Sequence, residues 1–128
     1  MAYLLDTHAL LWFQEGNQAL SKAALEILKD KEHECWVSYV SLFELSIKIS
    51  LGKMRLPLPL PHFIQEKVIG GDFKLLQIEV FHLNRLVSLP WHHRDPFDRL
   101  LAAQAEVEHF TLISGDAIFS RYPVKVLW

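Results

Sequence analysis

The sequence predicts an α/β fold in which a mainly parallel sheet lies between layers of helix. Two observations predict it. Five short, mostly apolar runs are spread along the chain, and brief runs of this kind suit strands buried on both faces. Stretches with helical spacing separate them, and alternating strands and helices favour parallel pairing through crossover helices. A chain of 128 residues can bury one sizeable core, so residues 1–128 are read as a single domain.

Tyr3-Leu4-Leu5 forms the first strand and stops at Asp6. Thr7 is placed to cap a helix through Phe13, whose apolar face is Leu10, Leu11 and Phe13. Asn17 to Ser21 carries turn and cap residues, and Ser21 caps a second helix in which Ala24, Leu25 and Leu28 are helically spaced. Glu34-Cys35-Trp36-Val37-Ser38 is the second strand. A helix follows from about Val40 to Leu51, and Gly52 ends it. Leu56-Pro57-Leu58-Pro59-Leu60-Pro61 alternates leucine with proline, which excludes a helix or a central strand and predicts an extended connector. His62 to Ile69 is predicted as a helix ended by Gly70-Gly71. Phe73 to Ile78 is the third strand, and Glu79 to Leu89 a helix that stops before Pro90. Asp95-Pro96 starts a helix that runs to about His109. Thr111 to Ser114 is the fourth strand, Asp116 to Phe119 one short helical turn, and Val124 to Trp128 the fifth strand.

Composition narrows the function. An apolar share of 51% and an aromatic share of 12% argue against disorder. The formal net charge of −2 is not that of a basic nucleic-acid module. An enzyme acting on nucleic acid is still compatible, because only the charge near its site has to be favourable. The single cysteine, Cys35, excludes an intramolecular disulfide and reads as a small core residue in a reducing compartment. With no signal-peptide pattern and no apolar run able to span a bilayer, the expectation is a soluble, cytoplasmic protein with no membrane partner.

The acids that follow the strands carry the chemistry. Asp6 ends the first strand, Glu44 lies in the early turns of the helix after the second, and Asp116 follows the fourth. In a parallel sheet, strand ends and helix starts share one edge, where open α/β folds bind ligands. Asp98 joins that edge if its helix is threaded the same way. Converging carboxylates repel one another unless some hold protons or a cation is present. Oxygen donors without converging cysteine or histidine favour Mg²⁺ or Mn²⁺ over Zn²⁺, and such a pocket suits phosphodiester hydrolysis. Each acid also has a plainer role. Asp6 can cap the following helix, and Asp116 can be a turn residue. Glu44 can close a capping box with Ser41, or lie one turn further in if Ser38 is the cap, and it can pair with Lys48. Four such coincidences on one edge explain less than one shared site does.

The stretch from His92 to Ala105 separates two of these roles. Asp95 reads as the N-cap and Pro96 as the first helical residue, so Asp95 holds the helix start. Asp98, one turn in at the positive end of the helix dipole, is expected to face the metal.

With these residues assembled, the sequence resembles the PIN-domain ribonucleases, and among them the VapC-type toxins of bacterial type II toxin–antitoxin systems. The resemblance lies in Leu4-Leu5-Asp6-Thr7-His8-Ala9-Leu10-Leu11-Trp12, in Val37-Ser38 through Glu44-Leu45-Ser46-Ile47-Lys48, and in Leu51-Gly52-Lys53-Met54. It continues in His93 through Ala105 and in Thr111-Leu112-Ile113-Ser114-Gly115-Asp116. It implies that Asp6, Glu44, Asp98 and Asp116 are both the catalytic and the metal-binding acids, with Ser114 as a hydroxyl neighbour and Asp95 as an extra acid. It further implies a three-layer α/β/α sandwich around a five-stranded sheet and a Mg²⁺- or Mn²⁺-dependent endoribonuclease acting on single-stranded RNA. A homodimer and a VapB-like antitoxin that blocks the acidic groove complete the expectation.

The remaining candidates weigh less. Among seven histidines, His92-His93 is the best zinc candidate, but adjacent residues point apart and a loop or capping role is expected. Arg99 and Lys48 are the best placed of the cations to contact RNA phosphate. Trp12, Phe13 and Trp91 read as core or interface aromatics. A rival class is a non-catalytic domain whose acidic groove binds a basic protein partner, although such a groove does not need converging carboxylates. A receiver-like phosphoacceptor is a further rival. It needs paired acids after the first strand, where Asp6 stands alone, and a lysine after the last strand, whereas Lys125 lies within it.

Overall fold

The computed structural model describes residues 1–128. Its elements are β1 (Ala2–Leu5), α1 (Thr7–Glu15), α2 (Lys22–Lys29), β2 (Glu34–Ser38) and α3 (Tyr39–Ser50). After them come α4 (Leu60–Phe63), which continues as a π-helical winding (Ile64–Ile69), then β3 (Lys74–Leu76), α5 (Val80–Ser88) and α6 (Pro96–Glu108). β4 (Thr111–Ile113), a 3₁₀ turn (Ala117–Arg121) and β5 (Val126–Leu127) complete the chain. The five strands pair in the order β3-β2-β1-β4-β5, and every pair is parallel.

The pleat of β1 accounts for the three layers. Tyr3 and Leu5 point to one face, where they meet Ala9, Leu10 and Leu11 of α1, Ala24 of α2, and Leu42 and Leu45 of α3. Leu4 points to the other face and packs with Leu101, Ala102 and Ala105 of α6 and Leu89 beyond α5. Because β1 is central and covered on both sides, Leu4 and Leu5 are fully buried. No helix is long and apolar enough to cross a membrane.

Several boundaries differ from those expected. The helix predicted from His62 begins two residues earlier, at Leu60. Pro61 falls in its first turn, where a missing N–H leaves no bond unmade, so the extended connector ends at Pro59. The third strand shrinks to Lys74–Leu76 and the fifth to Val126–Leu127, because each edge strand pairs only along the register its single neighbour offers. Glu79 caps α5 instead of opening it: its backbone N–H donates to Nδ1 of the fully buried His82 at 2.9 Å.

Candidate active site

The site is built at the carboxyl edge of the sheet. Asp6 directly follows β1 with extended backbone, and its Oδ1 accepts the Ala9 N–H at 2.7 Å. Asp6 is therefore the cap of α1, and Thr7, predicted as that cap, is already helical. The Thr7 hydroxyl is thereby free to reach across the sheet edge, where it donates to Oε1 of Glu44 at 2.6 Å.

Glu44 is placed by α3. Ser38, not Ser41, caps that helix by accepting the Val40 N–H at 2.9 Å, so Glu44 lies one turn further in than the capping box would put it. The Ser38 hydroxyl also donates to Oε1 of Gln104 on α6 at 2.5 Å, and the Gln104 amide donates to the Gln77 carbonyl at 3.2 Å. These buried bonds tie the start of α3 to α6, and so fix Glu44 relative to Asp98. The other carboxylate oxygen of Glu44 meets Nζ of Lys48 at 3.0 Å.

Asp95 caps α6 as expected, accepting the N–H groups of Phe97 at 2.8 Å and Asp98 at 3.1 Å. Asp98 then projects one turn along, with its Oδ2 2.9 Å from Nε2 of His93. Burial raises the Asp98 carboxyl to about 6, the charges of Asp95 and Glu44 add to the rise, and His93 opposes it. Burial also holds Asp6 above the usual carboxylate range, against hydrogen bonds from the Ser114 hydroxyl and the Ala9 N–H. Asp116 is exposed and caps the 3₁₀ turn through the Ile118 N–H at 3.0 Å, and its own N–H donates to the Ser114 hydroxyl at 3.0 Å.

The structure brings all four acids to the same edge of the sheet, with Asp116 common to two groups of them. Asp6 and Asp116 line a recess of about 240 Å³ together with His8, Trp12 and Trp128. Oxygens of Asp98 and Asp116 and a ring nitrogen of His93 lie within 4.8 Å of one another. The charge of Glu44 is felt at both Asp6 and Asp98. Gly115 belongs to the recess for a steric reason, since a Cβ there would lie 2.7 Å from Cε2 of Trp128.

The donor set fits a hard divalent cation. It is rich in carboxylates, and burial holds Asp6 and Asp98 above their ordinary range, a cost that a bound cation would offset. Lys48 compensates Glu44 alone.

Two residues exchange the roles the sequence predicts. Arg99, expected at RNA phosphate, is 3% exposed. Its guanidinium donates to the carbonyls of Pro90 at 2.8 Å and Leu89 at 3.2 Å, and lies 3.7 Å over the Trp91 ring. A helix turns 100° per residue, so Arg99 faces the loop returning from α5 while Asp98 faces the groove. Arg99 holds that loop and offers no free cation. Lys48 is likewise engaged, on Glu44. His93, expected in a loop or capping role, faces the acids instead, and His92 beside it packs edge-on against Tyr122 at 5.2 Å. Its sequence signal is the short step from His93 to the Asp95 cap, which folds the loop back over the first turn of α6. Trp91, read as core or interface, is largely exposed, while Trp12 is half-buried at the recess wall.

Comparison with known proteins agrees with this architecture. A family model described as PIN domain matches residues 3–125. The chain superposes on a chain of VapBC2 from Rickettsia felis, solved bound to a promoter DNA fragment, with a TM-score of 0.75 and 19% identity over 99% of this chain and 98% of that one. VapBC-1 from nontypeable Haemophilus influenzae gives a TM-score of 0.69 and 14% identity over 99% and 97%. A toxin–antitoxin complex from Klebsiella pneumoniae gives 0.67 and 19% over 98% and 96%. A search of curated protein sequences finds no significant match.

Proposed function

We infer that this chain, which belongs to the PIN-domain family, is a Mg²⁺- or Mn²⁺-dependent endoribonuclease and the toxin of a type II toxin–antitoxin pair. The observation that carries the reading is the convergence of Asp6, Glu44, Asp98 and Asp116 on the carboxyl edge of the sheet. Those four acids would hold the metal. When bound, a divalent ion supplies a Lewis acid for the phosphodiester and makes a nearby water more acidic. Thr7 and Lys48 fix both oxygens of Glu44, so that carboxylate is preorganised. With Arg99 engaged inside the fold, the exposed Arg94 beside His93 is a cation placed next to the acids for RNA phosphate.

An antitoxin partner follows by analogy with the VapBC and toxin–antitoxin complexes that share the fold. The exposed apolar side chains of α5, Val80 and Val87, are 81% and 84% exposed and are suited to a homodimer contact. Cytoplasmic location completes the proposal.

The test is cleavage of single-stranded RNA by the purified chain, with Mg²⁺ or Mn²⁺ and with chelator, beside Asp6→Asn and Glu44→Gln. The reading expects metal-dependent cleavage that falls by roughly two orders of magnitude in either variant. Wild-type rates in the variants would remove the site assignment, and cleavage that survives chelation would remove the mechanism. Binding of a basic peptide with no cleavage under any condition would favour the non-catalytic groove.

A further inference from the structure

The four acids are unequally satisfied. Glu44 has a partner on each oxygen, Thr7 on one and Lys48 on the other. Asp6 accepts a backbone N–H and is bonded by the Ser114 hydroxyl. Asp116 uses Oδ1 as a cap and keeps Oδ2 free. Asp98 accepts no backbone N–H, and its one polar partner is His93, at 2.9 Å. The remaining donor capacity of the groove therefore collects where Asp98, Asp116 and His93 meet.

We propose that His93, Asp98 and Asp116 form a transition-metal site, with Nε2 of His93 as a ligand, so that the groove prefers Mn²⁺, Co²⁺ or Zn²⁺ to Mg²⁺. This rests on the reading of the groove as a metal site and names a residue of it outside the four acids. Donors about 2.1 Å from a shared ion lie about 3.0 Å apart at a right angle and about 4.2 Å apart across the ion. The 2.9 Å separation of His93 and Asp98 is already that of neighbouring ligands. All three donor atoms lie within 4.8 Å of one another, close to the span of about 4.2 Å across one ion, and the Asp116 side chain is exposed. His93 and Asp98 are half-buried, with side chains 31% and 21% exposed, so they are held in place yet open to an entering ion. Imidazole is a borderline donor that Mg²⁺ accepts poorly and later first-row ions accept well. A nitrogen in the set therefore changes which metal wins.

The alternative role for His93 is a hydrogen bond that merely orients Asp98. The variant His93→Gln separates the two, because its amide can still donate to Asp98 but cannot replace an imidazole toward a metal. The experiment is calorimetric titration of the full chain with Mg²⁺, Mn²⁺ and Co²⁺ separately, with visible absorption recorded on the Co²⁺ samples and circular dichroism to show that each protein is folded. Wild type is expected to bind Mn²⁺ and Co²⁺ at least tenfold more tightly than Mg²⁺. In His93→Gln, Mn²⁺ and Co²⁺ affinity is expected to fall about 10–100-fold with Mg²⁺ affinity within about threefold, and the Co²⁺ bands to shift. His93→Ala should match the glutamine variant, and Asp116→Asn should also weaken Co²⁺. Unchanged Mn²⁺ and Co²⁺ affinities and an unchanged Co²⁺ spectrum in folded His93→Gln would overturn the proposal and leave the acidic site intact. No binding of any of the three ions to wild type would overturn the metal-site reading beneath it.

Discussion

Replacing Asp98 with asparagine should abolish cleavage and, in metal-free protein, make the fold more stable. The magnitude follows from the Asp98 carboxyl, raised from an ordinary 3.8 to about 6 by burial first and by Asp95 and Glu44 after it. Because the folded state holds this proton more tightly than the unfolded state, stability falls as pH rises from about 4 to 6, and the loss is complete above about 6. At 1.36 kcal/mol per pH unit the penalty is about 3 kcal/mol at neutral pH. Asparagine carries no charge and escapes it. For a chain of this length each kcal/mol moves Tm by roughly 3 °C, so Asp98→Asn should melt about 9 °C higher at pH 7.5 in chelator. The gap should shrink below about 1 kcal/mol at pH 4, where wild-type Asp98 is protonated in the folded state and roughly half protonated in the unfolded state. Saturating Mn²⁺ should also narrow it, since an ion at a hundredfold its Kd stabilises the binding-competent protein by about 2.7 kcal/mol. Thermal melts of both proteins at pH 7.5 and pH 4, with chelator and with Mn²⁺, make the measurement. An asparagine variant that melts no higher than wild type at pH 7.5 in chelator, or a gap indifferent to pH, would refute the destabilising burial of the Asp98 carboxylate.

Two further outcomes concern the residues around the acids. Arg99→Met removes two charge-assisted hydrogen bonds to the loop carbonyls and should destabilise the protein by about 3 kcal/mol, whereas Arg94→Ala should weaken RNA binding several-fold and leave Tm within about 2 °C. Melting curves and RNA titrations on both variants check this, and the opposite pattern would restore Arg99 as the RNA contact. Thr7→Val frees one oxygen of Glu44 and should weaken Mn²⁺ binding about 10–100-fold by calorimetry, with a loss of stability of about 2 kcal/mol. An unchanged Mn²⁺ affinity would mean that Lys48 alone orients Glu44.

What the sequence discloses about this protein is what is local in the chain. Tyr3-Leu4-Leu5 reads as a strand buried on both faces, and its three side chains do divide between two core clusters. The Asp95-Pro96 cap and the Glu44–Lys48 pair are contacts within one helical turn, so spacing alone reveals them. The edge location of the acids follows from parallel topology, which the alternation of elements already implies. The contacts that fix the acids relative to one another are of a different kind. Thr7 reaches Glu44 across 37 positions, and Ser38 reaches Gln104 across 66. No spacing rule connects such pairs, because each depends on how three elements pack at once.

The exchange of roles between Arg99 and His93 has the same cause. Sequence adjacency placed Arg99 beside Asp98, but one residue along a helix is 100° of rotation, enough to send one side chain into the groove and the other beneath the loop. His93 lies five positions from Asp98 and reaches it only because the Asp95 cap turns the loop back over the helix start. The residue that holds this loop, through the carbonyls of Leu89 and Pro90, is Arg99 itself. The arginine predicted to touch RNA thus fixes the segment that carries His93 and Arg94, and its effect on the groove runs through backbone carbonyls rather than through its charge.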